Sequence, residues 1–295
     1  MEVVLSSISH PMFQTNPRAI PKKVLPTMYD LPSEDPEEPG LPDEFHNLQP
    51  QLLRLTFRPP NYSAREIFVG SDINLYYDSS HTRWYKRPDW FAVVGVPRLY
   101  NNEDLRWSYV VWDEGVSPLI VVELLSPGTE NEDLGKTESE ENQPPTKWEV
   151  YEQILQIPYY VTFERNTNEI QAYQLTPRGY QPWEFENQGL WVEEVQMSLG
   201  LWQGEYEEMT RLWLRWRDEH GNWIPTPEEA QQQQAERERQ RADTQQQQAE
   251  RERQRADTQQ QQAERERQRA DTQQQRAERL AARLRELGID PNEID

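Results

Sequence analysis

Three residues sit in settings that give their side chains chemical meaning. Glu123 is the one charged residue of the run Pro118-Leu119-Ile120-Val121-Val122-Glu123-Leu124-Leu125-Ser126-Pro127. That run is too short for a typical globular helix and is bounded by prolines, so it is expected to form a strand buried on both faces. An ionised carboxylate there needs a partner, a hydrogen-bond network or a metal, because burying it alone is costly. The alternative is that Glu123 lies just past the point where the strand reaches solvent. Asp89 follows Pro88 at the head of a second apolar strand, Trp90-Phe91-Ala92-Val93-Val94-Gly95-Val96. Lys147 is the second residue of Thr146-Lys147-Trp148-Glu149, the S/T-x-x-E form of a helix capping box. Asp89 and Glu123 offer hard oxygen ligands suited to Mg²⁺ or Mn²⁺. An ion held by them would lower the pKa of a bound water and stabilise charge on phosphate oxygens, with Lys147 neutralising the transition state. An acidic protein of this size also offers carboxylate pairs by chance.

These residues need elements to position them. Trp148, Tyr151 and Leu155 follow the capping box at helical spacing, with Lys147 and Tyr151 on neighbouring turns. Pro158 ends that helix, and Tyr159-Tyr160-Val161-Thr162-Phe163 reads as the next strand. Residues 169–175 and 180–185 flank the turn Thr176-Pro177-Arg178-Gly179 as a hairpin. Upstream, Ile67 to Tyr77 is expected to be a strand kinked at Gly70, and Tyr109 to Trp112 a further short strand. The apolar pattern from Gln49 to Phe57 is compatible with a helix end or a strand. Residues 128–145 are acidic and turn-rich, as in a surface loop able to close over a site. Asp133 in that loop reads as a solvated charge more readily than as a ligand, and so does Asp72. Tyr151 reads as a core aromatic more readily than as a hydrogen-bonding site residue. The alternation of helix and strand implies a mixed α/β sheet domain.

Composition divides the chain. All 11 Trp, 13 Tyr and 7 Phe precede residue 226, so the core is built from the first part. Of the net charge of −21, the first 225 residues carry −18. Such a surface repels nucleic acid unless basic residues cluster or divalent metals neutralise the carboxylates, which argues against general DNA coating but not against a metal-dependent phosphodiesterase. Arg83, Lys86 and Arg87 form only a small basic patch before Asp89. The absence of cysteine excludes disulfides, thiolate catalysis and cysteine-ligated metals. His10, His46, His81 and His220 lack metal-ligand spacing and read as surface or core residues. With no apolar run of membrane-spanning length and no signal peptide, a soluble cytoplasmic protein without membrane partners is expected.

The expected organisation is an extended or disordered arm over 1–45, rich in proline and acidic residues, a folded domain over 46–225, and a helical tail over 226–295. In the tail a 14-residue unit occurs three times without substitution, at 231–244, 245–258 and 259–272. Its alanines recur every seven residues from Ala235 to Ala277, the spacing of a coiled-coil seam, while the companion seam position holds Glu or Gln until Leu280, Leu284 and Leu287. A solvated helix of about 75–85 Å is expected, self-associating through its leucine end or standing alone.

Pro88-Asp89, Val122-Glu123-Leu124-Leu125-Ser126-Pro127, Lys147 with Tyr151, and Pro158-Tyr159-Tyr160, in that order, resemble the Uma-type family of restriction endonucleases, part of the PD-(D/E)xK nuclease superfamily. The resemblance spans roughly residues 45–225. It implies a restriction-endonuclease-like mixed sheet flanked by helices, DNA as substrate, and Asp89 and Glu123 as ligands of Mg²⁺ or Mn²⁺. The chain departs from the superfamily pattern at Leu125, where a lysine is the rule, and the resemblance carries that role to Lys147 on the following helix. Two functions therefore stand at this point: a Mg-dependent endodeoxyribonuclease, or a binding and assembly module that oligomerises through its core or its C-terminal helix.

Overall fold

The computed structural model describes residues 43–126, 130–137, 139, 143–184 and 189–288. Most of the expected N-terminal arm lies outside the described residues. In chain order the elements begin with α1 (Glu44–Thr56), β1 (Ile67–Gly70), β2 (Leu75–Tyr76), β3 (Tyr85–Lys86), β4 (Trp90–Val94), β5 (Tyr109–Val110), α2 (Val111–Glu114), β6 (Ile120–Leu125) and α3 (Glu130–Asp133). They continue with α4 (Lys147–Glu149, prolonged by a π-helical turn Val150–Ile154), β7 (Tyr159–Glu164), β8 (Ile170–Thr176), β9 (Gly179–Pro182), β10 (Leu190–Val192), β11 (Met197–Tyr206), β12 (Met209–Arg217) and α5 (Pro227–Glu286). The fold is mixed α/β with a long C-terminal helix, as the sequence led us to expect.

Six strands form the main sheet in the order β1-β4-β6-β7-β8-β9. Within this sheet, among the described residues, only β6 and β7 pair in parallel, and the crossover between them carries α3 and α4. Because side chains alternate along a strand, β6 sends Ile120, Val122 and Leu124 to one face and Val121 and Glu123 to the other. The first set packs into a core with α1 and the antiparallel meander β10-β11-β12, where Phe57 meets Trp90 and Trp216. Gln49 of α1 fastens this layer by bonding both the Leu214 carbonyl and amide, each at 2.9 Å. The second face packs Val121 and Tyr160 with Val150, Tyr151 and Leu155 of the α4 segment.

One open alternative is settled and two local expectations change. The segment from Gln49 to Phe57 is helical, started by Asp43, whose side chain accepts the His46 amide. Ile67 to Tyr77 is two strands rather than one kinked strand, with a reversal at Asp72, which has φ 50°. Gly70 closes β1 because the Phe91 ring fills the place of a Cβ, 2.3 Å from where one would stand. Tyr109 to Trp112 is strand for only two residues before turning into α2. The unassigned tryptophan-rich region is the β10-β11-β12 meander, and its strands bury Trp213 and Trp216.

The chain divides between Ile224 and Pro225 into two compact units. In the second, Thr226 and Glu229 form a capping box and Pro227 occupies the first turn, which starts α5 cleanly. At 60 residues the helix is about 90 Å long. None of its residues is buried. Side-chain pairs four apart, such as Gln234 with Glu238 at 3.0 Å, support it locally. Among the described residues no helix is long and apolar enough to cross a membrane.

Candidate active site

The register of β4 and β6 brings the two carboxylates together. Trp90 lies opposite Val122 in this antiparallel pair, so the next position along sets Asp89 beside Glu123. The Leu124 N–H donates to Asp89 Oδ2 at 2.6 Å, and the Asp89 N–H donates to Glu123 Oε2 at 3.4 Å. Each carboxylate is thus tied to the backbone of the other's strand.

Glu123 is fully buried. Its Oε1 accepts the Tyr151 hydroxyl at 2.7 Å, and its Oε2 accepts from Lys147 Nζ at 3.1 Å. Lys147 and Tyr151 reach one carboxylate because residues four apart share a helix face. The capping box fixes the start of that helix: Thr146 Oγ1 accepts the Glu149 amide, and Glu149 accepts the Thr146 amide. The helix then widens. Leu155 N–H bonds Val150 O at 2.8 Å, a π-type turn of the kind found where a helix re-aims a side chain at a functional site. Tyr151 is therefore both the buried aromatic expected from its spacing and a hydrogen-bond donor to the site.

Asp133 corrects the sequence reading. It is 1% exposed rather than solvated, and its Oδ1 stands 2.7 Å from Lys147 Nζ. Within the acidic stretch Glu130–Asp133 form the short helix α3, and Tyr160 OH donates to the Asp133 carbonyl at 2.8 Å. Neighbouring Glu132 accepts from Lys86 Nζ at 2.8 Å and from the Lys147 amide at 2.9 Å, which docks α3 against the start of α4. Asp72, by contrast, is exposed and pairs with Arg87 at 2.7 Å. His10 lies outside the described residues. His46, read from sequence as a surface or core residue, contacts the strand between the two carboxylates: its Nε2 is 3.2 Å from Leu124 O.

The cluster sets three carboxyl groups, those of Asp89, Glu123 and Asp133, around one ammonium, that of Lys147. Burial pushes the Glu123 carboxyl up to about 7, with Lys147 pulling it down and Asp89 pushing it further up. Burial likewise raises Asp89, against the pull of Lys147. Burial works against the Lys147 ammonium, yet Glu123, Asp133 and Asp89 together hold its pKa above the ordinary lysine value. Such a cluster is suited to a further cation. Among the described residues no three His, Asp or Glu side chains are grouped to hold a metal by themselves. Two carboxylates are nonetheless a donor set that Mg²⁺ accepts, since it usually keeps several waters.

Residues 25–209 match the model of the family Uma2, described as "Putative restriction endonuclease". The chain belongs to this family. The match includes Asp89, Glu123, Asp133, Lys147 and Tyr151 and ends before α5. No curated protein matches the sequence at a significant level.

Proposed function

We propose that this Uma2-family protein is a metal-dependent endonuclease that hydrolyses phosphodiester bonds in DNA. The observation that carries the reading is the juxtaposition of Asp89, just ahead of β4, with Glu123 of β6, with the Lys147 ammonium on Glu123. Asp89 and Glu123 would hold Mg²⁺ or Mn²⁺ through their oxygens. Bound there, the ion would supply a water of lowered pKa and neutralise phosphate charge. Tyr151 holds Glu123 in orientation, and Asp133 holds Lys147. Lys147 offsets the negative charge that grows on the phosphate oxygens as water attacks phosphorus and the sugar oxygen departs.

The test is calorimetric titration of Mg²⁺ and Mn²⁺ into wild type and the Asp89→Ala, Glu123→Ala double variant, with nicking of supercoiled DNA followed in parallel. Wild type is expected to bind and nick, chelation to stop nicking, and the variant to do neither. Nicking retained by Glu123→Ala refutes the mechanism.

A second role is supported by the alanine heptads of α5 and its exposed Leu280 and Leu287: self-association of the chain through this helix. Sedimentation of the full chain against one ending at Ile224 tests it, and equal oligomeric states remove it.

A further inference from the structure

The sheet ladder between β4 and β6 runs out where the site begins. Ile120 and Val122 pair with Ala92 and Trp90, and Leu124 is the next residue of the same parity, with its amide and carbonyl aimed at the same side. No β4 residue continues this pairing to Leu124, since β4 starts at Trp90. Two side chains take the place of the missing strand. Asp89 Oδ2 accepts the Leu124 N–H at 2.6 Å, and His46 Nε2 lies 3.2 Å from the Leu124 carbonyl oxygen. That oxygen can only accept, so the imidazole nitrogen is the donor.

His46 is itself held from behind. Its Nδ1 stands 2.8 Å from Asp43 Oδ1, and Arg165 pairs with the other oxygen of the same carboxylate. Asp43 also caps α1 through the His46 amide, so ring and helix start are fixed by one residue. The side chain of His46 is 10% exposed. Packing of α1 does not require this contact, because Gln49 already fastens the helix to β12.

We infer that His46 is a positioning residue for the site: by clamping the Leu124 carbonyl it sets the peptide whose N–H orients Asp89. This inference rests on the reading of Asp89 as a working carboxylate of the site. The chain of contacts runs Arg165, Asp43, His46, Leu124, Asp89. It makes the geometry of the half-buried Asp89 carboxylate depend on a residue 43 positions upstream.

The experiment compares full-length wild type, His46→Ala, His46→Gln and Gln49→Ala, without added metal, by amide hydrogen exchange read residue by residue. In His46→Ala the Leu124 amide is expected to exchange about tenfold faster relative to the Val122 amide, as loss of one hydrogen bond implies. His46→Gln, which can still donate to the carbonyl, is expected to restore most of that protection. Gln49→Ala loosens α1 without touching Leu124, so it is expected to speed Val122 and Leu124 together. A ratio unchanged in His46→Ala, or changed equally in Gln49→Ala, overturns the inference. Mn²⁺ titration of the same proteins gives the functional arm, with weaker binding in His46→Ala and recovery in His46→Gln. Failure of wild type to bind metal would count against the endonuclease proposal, while the exchange ratio decides the clamp independently.

Discussion

Replacing Lys147 by Met removes the ammonium that Glu123 faces at 3.1 Å and Asp133 at 2.7 Å, while keeping most of the apolar stem. Both carboxylates are buried, at 0% and 1% exposure, so the loss is not screened by water as a surface pair would be. Breaking a buried pair from one side costs about 3–5 kcal/mol. Glu123 limits the damage, because a carboxyl already pushed up to about 7 takes a proton instead of remaining a bare charge. The lower end, about 3 kcal/mol, is therefore expected, which for a unit of this size lowers Tm by about 6–12 °C. Thermal and denaturant unfolding of the full chain measure it. The double variant Lys147→Met, Asp133→Asn should lose about 2 kcal/mol less than the two single losses combined, because one partner no longer misses the other. A Tm within 2 °C of wild type, or simple additivity in the cycle, refutes the account of Lys147 as the cation of the cluster.

Tyr151→Phe deletes the 2.7 Å hydrogen bond to Glu123 and little else, so a loss of about 1.5–3 kcal/mol is expected in denaturant titration, together with slower nicking. Gly70→Ala drives a Cβ into the Phe91 ring, and unfolding assays should show a loss of about 1–3 kcal/mol from overpacking. A chain ending at Ile224 is expected to retain the Tm of the first unit and to lose the far-ultraviolet circular dichroism of the 60-residue helix. A first unit that fails to fold without residues 225–295 would contradict the independence of the two units.

Much of the scaffold was legible from local pattern. The apolar run of β6, interrupted by Glu123, the capping box at Thr146 and Glu149, the turn between β8 and β9 and the strand after Pro158 all carry signals confined to a few neighbouring residues. The helix α1 was ambiguous because Pro50 sits inside it. The π turn after Glu149 left no trace in the spacing, since widening a helix depends on what packs against it.

The sequence by itself determined which residue types stood in buried strands and at a helix start: Asp89, Glu123 and Lys147 are visible because a charge in or beside an apolar segment violates the expected pattern. Their meeting was decided by the register of β4 on β6 and by the crossover that returns α4 over the same face, neither of which composition or periodicity contains. The same holds for Asp133 and His46. In an acidic stretch Asp133 looks like a solvated side chain, and a lone histidine such as His46 reads as a surface or core residue. Only packing against Lys147 and Leu124 shows otherwise, because burial is a property of the assembled layers and not of the residue that is buried.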